Sequence, residues 1–363
     1  MKTALFIPTM DGGGAERVMM LLAKEFSYRG HEVDLIVARA VGPYLKQMPP
    51  NVRLVDLKST KPLTAIPALI RYLRKERPSS VLSSLFNANI ALLIAKKISG
   101  IPVRCVVREA NTISYDLRVS RSISAPITAG VIRRCYAWAD VVVSLSYGAA
   151  DDLTATTRFP RNKIKVIYNP IDIKMIHKKA NEESTHPWLI DRDIPTILGI
   201  GRFCEQKDFS TLIRAFSIVV KYKNAKLIIL GDGELRSQLE ALVHALNLSD
   251  KVELPGFIDN PYQYLSRSSV FVLSSRWEGL GNVLIEALAC DVPIIATNCP
   301  CGPGEVLQNG KYGRLVPVGD TQALSSEILR VIDDDILRFN KTEALSRFDI
   351  NNITERFIEV LSN

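Results

Sequence analysis

The chain has 363 residues, 47% hydrophobic and 23% charged, which excludes a disordered, fibrous or disulfide-scaffold protein and, at roughly 100–200 residues per domain, points to two domains. No run approaches the ~18 consecutive apolar residues of a membrane span, and the apolar opening at 3–10 breaks at Asp11 without a small-residue cleavage site, so a cytoplasmic location is expected. Charge is divided unevenly: residues 1–180 carry 28 Lys and Arg against 13 Asp and Glu, a net of +15, while 181–363 carry 18 against 25, a net of −7; the front half therefore invites an anionic partner.

In chain order the front half opens with a β-branched run at 3–8, then the glycines Gly12, Gly13 and Gly14, then a helical pattern carrying Val18, Leu21, Leu22 and Phe26. Glycines between a strand and a helix let a ligand reach the amides of the helix start, where an anion is favoured. The same glycines also suit a plain turn with positive φ. Their spacing matches neither the dinucleotide-binding fingerprint nor the P-loop. Strand runs follow at 32–37, 52–57, 80–85, 103–108, 141–145 and 165–168. Between the third and fourth runs, Lys58, Lys61, Arg71, Arg74, Lys75 and Arg77 interleave with Ile66, Leu69, Ile70 and Leu73; Arg118, Arg121, Arg133 and Arg134 form a second basic group. The pattern suits a helix at an anionic membrane surface, or the solvated face of an ordinary domain.

The rhythm lapses over 169–195, which is polar and holds prolines at 170, 187 and 195; this reads as a linker at 173–195. It resumes with strand runs at 196–201, 226–231, 252–254, 270–274, 293–296 and 314–317, a helix at 321–332 and a terminal helix at 351–361. Continuous apolar strands alternating with helices signal parallel sheets covered on both faces. The expected architecture is α/β, two doubly wound Rossmann-like domains facing across a cleft: 1–172, then 196–345 after the linker, with 346–363 as a terminal helix returning to the first domain.

The rear half concentrates the chemistry. Arg202 and Lys207 follow Gly201 at a strand's carboxyl end, where a guanidinium and an ammonium can hold two phosphates; the alternative is that they neutralise Glu205 and Asp208. From about Gly281 the chain is a helix apolar nearly all round (Val283, Leu284, Ile285, Ala287, Leu288, Ala289), hence buried. The carboxylate within it, Glu286, needs partners, and a hydroxyl-bearing ligand would provide them. Glu278 precedes the helix start, where amides stabilise a carboxylate that can also face a ligand. Eight helical residues rise ~12 Å, so the two glutamates would touch different parts of one extended ligand; a capping Glu278 and an ion-paired Glu286 are the plainer alternative. The loop at 297–306, with Gly302 and Gly304, offers further free amides. Cysteines 105, 135, 204, 290, 299 and 301 lack zinc-site spacing and are expected as free thiols, with no metal.

Gly201-Arg202 with Lys207, Gly231-Asp232-Gly233, Glu278 and Glu286 with seven residues between them, then Pro293 and Gly310, resemble the GT-B-fold retaining glycosyltransferases of glycosyltransferase family 4 across about 196–320. The front half resembles them through its Gly-rich loop and Val166-Ile167-Tyr168-Asn169-Pro170. The stretch 299–305 is similar to bacterial members that extend lipid-linked sugars for surface polysaccharides or glycans. The resemblance implies that Arg202 and Lys207 bind the donor diphosphate, Glu286 the donor ribose, and that Glu278 lies near the transferred sugar. Gly201, Gly279, Leu280, Gly281, Asn282 and Val283 would complete the donor site. It also implies that the front domain takes the acceptor, for which Gly13, Gly14, Glu109 and Asn111 are the candidates. Many members place a histidine where this chain reads Arg108-Glu109-Ala110-Asn111-Thr112; its four histidines (31, 177, 186, 244) lie elsewhere, which leaves the place to Glu109 or Asn111.

A nucleotide-sugar bond breaks with negative charge collecting on the departing diphosphate, so prepositioned cations and excluded water are the machinery required. A protein supplying those cations needs no metal or other cofactor; the nucleotide sugar, UDP-linked by default, is a co-substrate. The expected partners are a polyprenyl-diphosphate-linked saccharide and the anionic inner face of the cytoplasmic membrane. Two rivals share parts of the pattern: a GT-B-fold nucleotide-sugar epimerase, and a non-catalytic anion-binding protein directed at nucleic acid. Against nucleic acid, aromatics do not interleave with the Lys and Arg as a stacking platform requires.

Overall fold

The computed structural model describes all residues except Met1, Gly12, 120–124, 184–185, 191–192, Arg338 and Asn363, and the side chains at 116, 118 and 119. Gly12, Arg121 and the Arg118 side chain thus lie outside the described residues. The apolar runs form strands β1 (Lys2–Ile7), β2 (Glu32–Val37), β3 (Val52–Asp56), β4 (Ser80–Ser84), β5 (Arg104–Glu109), β6 (Val141–Ser144) and β7 (Ile164–Val166). They continue as β8 (Thr196–Ile200), β9 (Lys226–Leu230), β10 (Val252–Gly256), β11 (Val270–Leu273), β12 (Ile294–Thr297) and β13 (Arg314–Val316). The first seven form one sheet, in the order β3-β2-β1-β4-β5-β6-β7, and the last six another, β10-β9-β8-β11-β12-β13. Every pairing is parallel. In register, Thr3 lies opposite Val33 and Ser80, and Ile197 opposite Leu227 and Val270. Parallel neighbours need long crossovers, and helices supply them.

The chain divides into two compact units, Met1–Pro170 with Ile350–Asn363, and Ile171–Asp349. In the first, the helix Ile66–Glu76 turns Leu69, Tyr72 and Leu73 inward, while Arg71, Arg74 and Lys75 are exposed. Most of the apolar side of the basic stretch is therefore spent on the unit's own core, and the outward side carries the charges together with exposed Leu63 and Pro67. Arg74 caps the neighbouring helix Phe86–Ser99 by donating to Ile98 O (3.2 Å) and Ser99 O (3.3 Å). Asp34 is buried in β2 and accepts from Arg53 Nε (2.7 Å), Arg53 Nη2 (2.6 Å) and Tyr72 Oη (2.5 Å). The terminal helix Ile350–Ser362 buries Ile353, Phe357, Val360 and Leu361. It accepts from Arg104 Nε at Val360 O (2.7 Å), and its Arg356 donates to Val166 O (2.6 Å).

In the second unit, Ile197, Leu227, Ile229, Val270 and Val272 of the sheet share a core with Leu212 and Phe216 of the helix Phe209–Val219 and with Leu324 and Ile328 of the helix Thr321–Ile332. Truncating Phe216 to alanine would cost about 3–5 kcal/mol. The stretch at 173–195, read from its polarity as a linker, instead carries the helices Ile173–Ala180 and Pro187–Ile190 within this unit. Asp172 caps the first through the Met175 amide (2.9 Å), and two buried residues, Ile176 and Ala180, suffice to seat it. Polar contacts hold the rest: Arg267 Nη1 donates to Ala180 O (3.0 Å), and His177 Nε2 meets Ala289 O (3.0 Å).

Candidate active site

Each sheet reverses its order of strand addition once, between β1 and β4 in the first and between β8 and β11 in the second. Ligands of open parallel sheets bind outside the carboxyl ends of the strands at such a point. In the second unit the loops leaving β8, β11 and β12 converge there. The loop after β8 is tied to β9's exit, with Phe203 N donating to Asp232 O (2.9 Å) and Leu235 N to Phe203 O (3.0 Å). On its other side Arg276 N donates to Gln206 O (2.8 Å), Gln206 Nε2 to Trp277 O (3.0 Å) and Ser274 Oγ to Lys207 O (2.7 Å). The loop after β12 joins through Glu278 N to Pro300 O (3.2 Å). A Cβ on Gly302, at φ +92°, would stand 2.4 Å from Leu280 O, so this close approach requires glycine.

Onto this frame the side chains bring opposite charges. Lys207 Nζ donates to Glu278 Oε1 (2.5 Å), and Ser275 Oγ donates to the same oxygen (2.7 Å); the Lys207 side chain is 18% exposed and that of Glu278 7%. Arg202 is exposed. Asp208, buried in left-handed backbone at φ +46°, accepts from Thr211 Oγ1 (2.9 Å) and Arg276 Nε (3.0 Å), and Arg276 Nη1 lies 3.8 Å from Glu205. Arg276 thus makes the pairing with Glu205 and Asp208 that the alternative reading gave to Arg202 and Lys207. The helix Asn282–Ala289 follows Gly281 and buries Leu284 to Ala289, Glu286 among them. Two thiols mark the surroundings of the acids. Cys290 is pushed up to about 12 by burial and then by Glu286, and Cys299 to about 12 by burial and then by Glu278. Both are protonated at neutral pH and poor nucleophiles.

At the first unit's reversal, Gly13 has ordinary extended backbone and Gly14 begins the helix Gly14–Tyr28. The alternative of a turn with positive φ does not hold at Gly13; a Cβ there would stand 2.4 Å from Glu16 Oε2, so the bare position leaves room for that carboxylate. Neither glycine lines the pocket found here, of about 260 Å³, whose walls are Pro8, Pro62, Leu85, Phe86, Asn87, Glu109, Ala110 and Asn111. Glu109 and Asn111 do share it. Leu85 holds φ +78° and ψ 132°, a strained conformation for a branched side chain, and costs about 1–3 kcal/mol that the surrounding packing must offset. Beneath, Glu109 is buried and its Oε1 accepts from Tyr136 Oη and from Asn89 Nδ2 (2.9 Å). Arg108, fully buried, donates to Ser84 Oγ (2.8 Å) and to Asn169 Oδ1. Burial lowers its guanidinium to about 10, opposed by Glu109 and Glu16, so it stays charged at neutral pH.

Sequence reasoning missed the Lys207–Glu278 pair and the layer of Ser83, Asn89, Arg108 and Tyr136. Arg108 ending an apolar strand run and Asn89 inside an apolar helix were the available signals; Tyr136 offered none.

Comparison with known proteins fits these two halves. Residues 12–174 match the family model for Glycosyltransferase Family 4, and residues 180–348 that for Glycosyl transferases group 1. Over 347 residues the chain is 30% identical to the N-acetylgalactosamine-N,N'-diacetylbacillosaminyl-diphospho-undecaprenol 4-alpha-N-acetylgalactosaminyltransferase of Campylobacter jejuni, across 93% of this chain and 92% of that one. It is 26% identical to the same organism's GalNAc-alpha-(1->4)-GalNAc-alpha-(1->3)-diNAcBac-PP-undecaprenol alpha-1,4-N-acetyl-D-galactosaminyltransferase, across 100% and 98%. The crystal structure of Anabaena Alr3699/HepE in complex with UDP shares the fold with a TM-score of 0.81 at 19% identity, covering 100% of both chains. The chain belongs to glycosyltransferase family 4, and it is a glycosyltransferase with the GT-B architecture of two Rossmann-like units.

Proposed function

We propose that the protein transfers a hexosyl or N-acetylhexosaminyl group, with retention, from a UDP-sugar to a polyprenyl-diphosphate-linked saccharide in surface polysaccharide synthesis. The observation that carries this reading is the second unit's reversal point, where Lys207, paired with a buried Glu278, and the exposed Arg202 follow β8 while Glu286 sits on the buried helix after the neighbouring β11. Lys207 and Arg202 bind the departing diphosphate. Glu286 accepts hydroxyl hydrogens of the ribose, and Glu278 holds Lys207 and lies beside the transferred sugar. Gly201, Gly279, Leu280, Gly281, Asn282 and Val283 line the donor. The bond from the anomeric carbon to the phosphate oxygen breaks with its electron pair leaving on UDP. The acceptor oxygen bonds to the same face of that carbon, and its proton passes to the departing phosphate. Protein cations do the work of a metal, so turnover in EDTA should equal turnover without it; loss of activity on chelation would refute this part.

The acceptor side draws support from relatives whose names carry undecaprenol-linked saccharides, and the UDP donor from the UDP held by a structural neighbour. The first unit docks on the anionic inner face of the cytoplasmic membrane through the exposed Lys58, Lys61, Arg71, Lys75 and Arg77. A second exposed strip, Ile127, Val131, Arg133 and Arg134 on the helix Ala125–Tyr136, supplies apolar contact. No described helix is long and apolar enough to cross a membrane. Sedimentation with anionic but not neutral vesicles at low salt is the expected result, and failure to sediment would remove the membrane from the account. The function itself is tested by supplying a panel of nucleotide sugars with a polyprenyl-diphosphate saccharide and assigning the product's anomeric configuration by NMR. A new linkage of the donor's own configuration is expected. An inverted product would refute retention, and conversion of a nucleotide sugar without acceptor would replace the transferase with an epimerase.

A further inference from the structure

The pocket of the first unit stands on buried polar side chains that the transfer chemistry above does not use. Ser83, within β4, donates its hydroxyl to Asn89 Oδ1 (2.7 Å), which fixes the amide so that Asn89 Nδ2 faces Glu109 Oε1 (2.9 Å), Tyr136 Oη (2.9 Å) and Arg108 O (3.1 Å). Tyr136 Oη donates to the same Glu109 oxygen. Ser83, Asn89 and Tyr136 are wholly buried and Glu109 is 2% exposed. Burial and the adjacent Glu109 hold the Tyr136 phenol well above its ordinary range, so it remains a donor. The chain has one direction: hydroxyl to amide, amide to phenol and carboxylate, phenol to carboxylate. Each link polarises the next, and two donors on one oxygen set the orientation of the carboxylate where it lines the pocket.

The pocket's lining says what that carboxylate meets. About 260 Å³ is room for a single sugar ring, and Pro8, Pro62, Leu85 and Phe86 offer apolar walls beside the polar Asn87, Glu109 and Asn111. Apolar walls with a few placed polar groups suit a ligand that has a C–H face and hydroxyl edges, and a carboxylate accepts hydroxyl hydrogens. We propose that this pocket takes one pyranose ring of the acceptor through a hydroxyl donated to Glu109, and that Tyr136 and Asn89 are positioning residues that hold the carboxylate for it. The proposal rests on the reading of the first unit as the acceptor's side.

The test is a double-mutant cycle in which the lipid-linked acceptor is varied at saturating UDP-sugar, with unfolding midpoints recorded for each variant. Glu109→Gln is expected to raise the acceptor KM on the order of 10- to 100-fold, and Tyr136→Phe, which removes one hydrogen bond to a charged group, about 10-fold. In both, kcat and donor affinity should change little. In the double variant Tyr136→Phe adds nothing to Glu109→Gln, because its effect passes through that carboxylate. Ser83→Ala, which loosens the Asn89 amide without touching Glu109, is the second probe should Tyr136→Phe unfold; it too should raise KM only where Glu109 is present. Independent, additive KM effects, or a fall in kcat at unchanged KM, would overturn the positioning role. Normal transfer with such a cycle overturns this proposal alone, whereas a wild-type enzyme that transfers to no saccharide acceptor overturns the reading beneath it as well.

Discussion

The two units share a topology and differ in what stands at its single reversal of strand order. Between β1 and β4 the first unit sets acceptor groups, Glu109 with Asn87 and Asn111, in apolar walls over a buried hydrogen-bond chain. Between β8 and β11 the second sets Lys207 on the buried Glu278, with the exposed Arg202 on the same loop and the buried Glu286 on the helix after β11. The net charges of the units run the other way, +12 for 1–170 with 350–363 and −4 for 171–349. Net charge acts at long range and steers encounter; what a site binds is decided by the few groups within hydrogen-bond reach. On the function proposed above, the anionic partner of the front half is assigned to its outer face, Lys58 to Arg77, and neutral, hydroxyl-bearing matter to its pocket.

The sharpest way to break this contrast is at the cations. Lys207→Ala should lower the transfer rate on the order of 10²–10³, and should also lower the unfolding midpoint, because Glu278 is left buried without its partner. Arg202→Ala should lower the rate comparably at an unchanged midpoint, since that side chain is exposed. Rates and thermal unfolding of both variants decide the matter, and identical midpoints would erase the distinction. A smaller effect tests the loop frame: Gly302→Ala, strained at φ +92° and crowding Leu280 O, should cost about 1–3 kcal/mol in urea unfolding. Donor affinity should fall while acceptor KM holds, and a fall in both would mean that the two sites are not separate. The least effect concerns acid stability. Hydrogen bonds from Arg53 and then Lys2 hold the Glu76 carboxyl at about 2, below its usual 4.5. A depressed carboxylate stabilises above its unfolded value and loses that contribution as pH falls through the folded one. The wild-type urea midpoint should thus drop more steeply than that of Glu76→Gln between pH 4.5 and 2, and parallel curves would deny Glu76 that role.

Much of this was legible in the sequence, for physical reasons. The strands lie within two residues of the apolar runs because both sheets are covered on both faces, so burial is written as continuous hydrophobicity. The burial of Glu286 was legible because its helix is apolar nearly all round. The Lys207–Glu278 pair was not, since 71 positions separate its members and only the packing of two loops joins them. Nor was the support of Glu109, whose partners come from 20 and 27 positions away. The misread linker has the opposite cause: a short helix seated by capping and carbonyl contacts needs few apolar residues, so its polarity looked like solvent exposure.

Whether the second unit's reversal point holds a nucleoside diphosphate is decided by calorimetric titration of UDP into the wild type, Arg202→Ala and Glu286→Ala. Saturable binding by the wild type is expected, weakened about 10-fold or more by each substitution. No binding by the wild type, or equal affinity in all three proteins, would contradict the account.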